Sequence, residues 1–283
     1  MNNEKILKLS SITKKLLLAL FGTFLLVFLL FHMVANLFIL ADDGGDAYSA
    51  FCHFMGTNMF VKVAELVLLG CFILHIGLAG YLWFCNRGKR PVRYHQPSRT
   101  KTAKGSKLAM ISGSLLLVLL IFHFYDFYFV KLNVVKDGHY MVKTEEFVLS
   151  NPDQEVSEEA QIVVMKAIQD QKVSSDGQWL RDLSLEDKDI LQQNFPDAEF
   201  EPDFYNTAHD KFSVWHIVLC YLVFFFVVGL HIRHGFESAF QTFGLNHYKY
   251  SRLIQILGII YCWIVCLGFA VVPLTVFIKS LIA

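Results

Sequence analysis

An all-α membrane protein with five spanning helices and one inserted extramembrane segment is the fold class that this chain predicts. Three observations lead there. Apolar residues pool into five stretches of about 20 or more, enough for a helix to cross a hydrocarbon core of about 30 Å. The stretches lack the period-two alternation of barrel strands. Lys and Arg gather in alternate connections between them. The composition agrees, with 54% hydrophobic and 18% charged residues among 283.

The stretches are Leu16–Leu40, Val61–Cys85, Leu108–Val130, Phe212–Ile232 and Leu253–Ile278. The first follows Lys14 and Lys15, as a signal peptide would. Its length, the lack of a clear small-residue cleavage site and His32 within it favour a retained helix.

Lys5, Lys8, Lys14 and Lys15 precede the first stretch. Arg87, Lys89, Arg90, Arg93, Arg99, Lys101, Lys104 and Lys107 separate the second from the third, and Arg233, Lys249 and Arg252 join the fourth to the fifth. These connections are expected on the cytoplasmic side of an inner membrane, with the N-terminus inside and the C-terminus outside.

The organisation is then 1–130 with three helices, 131–211 as an outer, periplasmic insertion that is partly helical, and 212–283 with two helices. In the insertion, Ser184-Leu185-Glu186-Asp187 has the form of a capping box, and Ser157–Gln171 reads as an amphipathic helix. A small ordered lid is expected there, with a disordered insertion as the alternative.

The six cysteines include no C-x-x-C and no C-x-x-C-H, so neither a zinc ribbon nor covalent haem attachment is supported. Cys262 and Cys266, one turn apart, read as small packing residues.

An ionisable side chain at membrane depth is costly and marks a functional candidate. His32, His75, His123 and His231 place one such group on each of the first four stretches. At about 1.5 Å per residue, His32 and His123 lie roughly 22–24 Å from the cytoplasmic face, in the outer half. His75 and His231, on stretches running the other way, fall in the inner half. Two level pairs of imidazoles suit two six-coordinate haem irons working by one-electron transfer. Helix–helix hydrogen bonding or a proton relay in a haem-free transporter are the other readings.

His234 rivals His231 as ligand; beside Arg233, it also reads as a headgroup or propionate contact. His216 and Glu65 are candidates for a quinone or proton site, or else plain interfacial residues. Gly22 and Gly113 precede His32 and His123 by ten residues each. They either leave room for a macrocycle face or serve ordinary helix packing.

Together, the one-histidine-per-helix pattern and His231-x-x-x-Gly235 followed by Phe236-Glu237-Ser238-Ala239-Phe240-Gln241-Thr242-Phe243-Gly244 resemble the diheme cytochrome b anchor of succinate:quinone oxidoreductases, the succinate dehydrogenase and fumarate reductase family. The resemblance implies a haem-binding four-helix bundle with a peripheral fifth helix. It assigns His75 and His231 to a proximal haem b, and His32 and His123 to a distal one.

It further implies electron transfer between menaquinone or another quinone and an iron–sulfur subunit. That subunit would carry the clusters and would join a flavoprotein holding FAD, both on the cytoplasmic side, in a complex able to dimerise. No nucleic-acid partner is implied. The basic connection Arg87–Lys107 lies on the docking side. Two features depart from the family: the long 131–211 insertion, and Gly229 where some members place an acid before the fourth-helix histidine. The rival assignments are a hydrogenase or formate dehydrogenase cytochrome b and the haem-free transporter.

Overall fold

A computed structural model describes residues 10–88, 101–145, 156–245 and 247–282, without the side chains of 87, 88 and 101–107. Lys5, Lys8, residues 146–155 and the side chains of the basic connection Arg87–Lys107 therefore lie outside the described residues. The chain is all-α with five helices long and apolar enough to cross a membrane among the described residues: Ser11–Leu40, Met59–Asn86, Leu108–Lys131, Trp215–Thr242 and Ser251–Ile282.

The helices are α1 (Ser11–Leu37), α2 (Asp46–Thr57), α3 (Met59–Gly88), α4 (Lys101–His123), α5 (Glu158–Gln169), α6 (Leu185–Asn194), α7 (Phe204–Phe212), α8 (Trp215–Thr242) and α9 (Ser251–Ile282). A π turn, Phe124–Tyr128, and a last turn, Phe129–Lys131, extend α4. The fourth span starts at Trp215, not at Phe212, because Phe212 closes α7 and the Ser213 hydroxyl donates to the Asp210 carbonyl at 2.7 Å. It also runs on to Thr242, well past Ile232. Hydropathy marks where apolar residues stop, and helical hydrogen bonding continues beyond Arg233.

Two compact units divide the chain. The first comprises residues 1–35, 58–117 and 221–271, and the second 36–57, 118–220 and 272–283. In the first, α9 packs on α8 and α1. The Cys262 and Cys266 thiols donate to the Gly229 and Phe225 carbonyls at 3.4 and 3.3 Å, and a Cβ at Gly229 would lie 2.9 Å from Cys266 Sγ. The glycine is what lets these backbones approach, as small residues do between membrane helices. Phe225 stacks on Phe269 at 5.4 Å, and the Tyr261 hydroxyl donates to the Leu26 carbonyl at 2.5 Å.

In the second unit, β1 (His139–Lys143), β2 (Trp179–Leu183) and β3 (Glu201–Asp203) form an antiparallel sheet in the order β2-β1-β3. Tyr140, Val142, Leu180, Leu183 and Leu191 make its core with Ala160 and Ala167 of α5. The two helices read from the insertion are present: Ser157 caps α5 by accepting from Ala160 N, and Ser184 and Asp187 form a reciprocal capping box on α6.

The sheet and α2 were not anticipated. Asp43 caps α2 by accepting from Gly45 N and Ala47 N, both at 2.9 Å. Gly45, with φ +90°, lies directly under the Tyr205 ring, where any Cβ would collide.

Candidate functional site

His75 in α3 and His231 in α8 meet within the first unit, with ring centroids 6.3 Å apart and planes at 81°. Each ring is backed by a glycine of another helix. A Cβ on Gly22 of α1 would lie 3.3 Å from His75 Cε1, and one on Gly113 of α4 would lie 3.1 Å from His231 Cε1. The two glycines thus make room for the imidazoles of neighbouring helices.

The partners of the imidazole nitrogens set their chemistry. His231 Nδ1 lies 3.3 Å from the hydroxyl of buried Ser112, which donates to the Ala109 carbonyl at 3.2 Å, and that carbonyl is also a backbone hydrogen-bond partner of His231. An imidazole that gives its Nδ1–H to such acceptors keeps the Nε2 lone pair, the form a metal ligand needs. His75 packs against α1, where the Leu18 carbonyl is its backbone hydrogen-bond partner.

Imidazole nitrogens are the donors a protein offers a haem iron, and His75 and His231 bring two such rings together. No group of three or more His, Cys, Asp or Glu side chains able to hold a metal occurs among the described residues. Two imidazoles fall short of the four donors a structural zinc takes, but they are a full axial set for an iron whose other four donors come from a porphyrin.

No protein-family model, no curated protein and no solved structure matches this chain. The site is therefore read from its own residues.

His32 belongs to the first unit, where its ring stacks on Phe28 at 5.4 Å and lies 5.6 Å from Phe269. His123 belongs to the second unit, 5.4 Å from the Phe127 ring, and is the last residue of α4 before the π turn. Such turns re-aim side chains and occur often at functional sites.

His234 is half-buried, one turn beyond His231, and Arg233 is exposed. Glu65 precedes His75 by ten residues, about 15 Å along α3, and His216 precedes His231 by fifteen, about 22 Å along α8. Neither reaches the histidine pair. His216 is exposed beside the Trp215 ring at 5.7 Å.

Sequence reasoning missed Ser112, although it adjoins Gly113. It also missed the charged core of the second unit. There Arg181 pairs with Asp46 at 2.7 Å and approaches fully buried Asp203 at 3.5 Å, tying α2 to the sheet. His139 sits between Asp182, 2.5 Å from Nδ1, and Asp210, 2.8 Å from Nε2. The Asp182 carboxylate chiefly, helped by Asp210 and opposed by burial, raises the His139 pKa to about 9. Asp182, at φ +54°, holds a left-handed backbone conformation unusual for a residue with a side chain, and also pairs with Lys172 at 3.0 Å.

Proposed function

We propose that this chain is the diheme cytochrome b anchor of a succinate dehydrogenase or fumarate reductase complex, passing electrons between a membrane quinone and a cytoplasmic iron–sulfur subunit. The observation that carries the reading is the His75–His231 pair, two nearly perpendicular imidazoles 6.3 Å apart, each seated on a glycine of a neighbouring helix. A haem held by His75 and His231 would supply reversible one-electron iron chemistry.

The chain's own residues do the rest. His75 and His231 would hold the iron. Ser112 supports the His231 ring at Nδ1. Gly22 and Gly113 leave room for the Cε1–Nδ1 edges of the two rings beside the helix backbones. In this reading a second haem in the outer half would let electrons cross the membrane in two steps, and the transfer is electrogenic unless protons compensate. The N-terminus is cytoplasmic and the C-terminus outside in the same reading.

The test is purification of the complex in mild detergent, with identification of copurifying subunits and a dithionite-reduced spectrum. A b-type band together with a flavoprotein and an iron–sulfur protein supports the assignment. A nickel or molybdenum enzyme in their place overturns the family, and a haem-free chain overturns the cytochrome.

A further inference from the structure

Lys14 stands in the first turn of α1, near one end of the span, and is only 8% exposed, whereas Lys15 beside it is exposed. Its ammonium donates to the Tyr81 hydroxyl of α3 at 3.2 Å and lies 4.7 Å from the centre of the Tyr81 ring. No carboxylate comes within ion-pair distance of it among the described residues. An ammonium has three N–H donors, and Tyr81 takes one. A buried cation at the edge of a membrane core is costly without a counter-charge, so this geometry calls for an anion.

Its position says which anion. Gly22 touches His75, and Lys14 touches Tyr81. Lys14 precedes Gly22 by eight residues, about 12 Å along α1, and Tyr81 follows His75 by six, about 9 Å along α3. Both contacts lie between the same two antiparallel helices, so the Lys14–Tyr81 pair is displaced from the histidines along the helix direction by roughly the reach of a macrocycle's acid side chains.

We propose that Lys14 and Tyr81 form the anion site that receives the propionate carboxylates of the haem held by His75 and His231. The proposal rests on the cytochrome reading above. A phospholipid phosphate offers the same charge and acceptor oxygens. The burial of Lys14 beneath protein atoms, with Lys15 left to face outward, favours the carboxylates. Each charged hydrogen bond formed there strengthens binding and favours the more negative, fully ionised haem side chain.

The experiment uses the full chain in detergent, depleted of haem and then titrated with haemin and with haemin dimethyl ester, whose propionates carry no charge. Wild-type protein is expected to prefer haemin at one of its two sites by about tenfold or more. Lys14→Gln should abolish most of that preference and lower the midpoint potential of one haem, because a positive charge near the iron is lost. Lys14→Arg should restore both, and Tyr81→Phe should give a smaller loss. The ester comparison in wild type needs no variant, so a misfolded mutant does not block the test.

Uptake of two haems without any preference for haemin over its ester, and with an unchanged midpoint in Lys14→Gln, overturns this site and leaves the cytochrome reading intact. Preference for nanodiscs of anionic over neutral lipid that disappears in Lys14→Gln, with no ester effect, reassigns the site to phosphate and also overturns it. A chain that takes up no haem overturns both.

Discussion

Ser112 supports the His231 ring, its hydroxyl lying 3.3 Å from Nδ1. Ser112→Ala removes that contact. Losing such a supporting hydrogen bond typically costs about 10–100-fold in metal affinity, so weaker retention of one haem, measured by transfer to apomyoglobin, is the expected outcome. Gly113 acts on the same ring by space. An alanine there leaves 3.1 Å to Cε1, which a small ring shift absorbs, whereas Gly113→Val drives the ring away. Normal haem content in Gly113→Ala and loss of one haem in Gly113→Val would confirm the contact.

At this scale the sequence was partly legible. The four histidines stand out because charge at membrane depth is rare, and the ten-residue Gly-to-His spacing was visible. What the glycines touch was not. That depends on how neighbouring helices cross, and the contacts run from Gly22 to His75 and from Gly113 to His231, not to the histidine downstream on the same helix. Ser112 has no signal in the sequence, and Lys14 reads there only as a charge that sets orientation, for a similar reason: a serine or a terminal lysine on a span has many ordinary uses.

Among the elements, the second unit carries the most testable energetics. Removing the α6 cap with Ser184→Ala should cost about 1 kcal/mol, read from denaturant unfolding. Arg181→Met should cost more, about 3–5 kcal/mol, because it strands Asp203, which is fully buried. The pH dependence has a definite sign. His139 has its pKa raised from 6.5 to about 9, so its contribution to stability is complete below about 6.5 and is lost as pH rises through about 9. Faster hydrogen exchange of the β1 and β2 amides between those limits, over and above the intrinsic pH trend, should be seen in wild type and absent from His139→Gln.

Long helices were readable because some twenty consecutive apolar residues leave few alternatives. The caps of α5 and α6 were readable from Ser157 and Ser184. The three strands were not, since elements of five, five and three residues are too short to display a period, and β1 carries a register shift between Tyr140 and Val142. Helix α2 was hidden for another reason. Its fixed point is Arg181, more than a hundred residues away, which binds Asp46.

For the molecule as a whole, the spans differ in how they are used. Of the most apolar stretch of each, 44% is buried in the fourth span and none in the second, so α8 is the helix around which side chains close and α3 the one that meets its surroundings most openly. That asymmetry explains why α8 carries both the Gly229 contact with α9 and His231.

If His75 and His231 bind one iron between them, both variants lose the same haem. The measurement is b-type haem per chain, by pyridine haemochromogen assay, in wild type, His75→Ala and His231→Ala. Two haems in wild type and one in each variant, with the same spectral component missing from both, is the result predicted. Loss of different components in the two variants, or two haems retained in both, would contradict it.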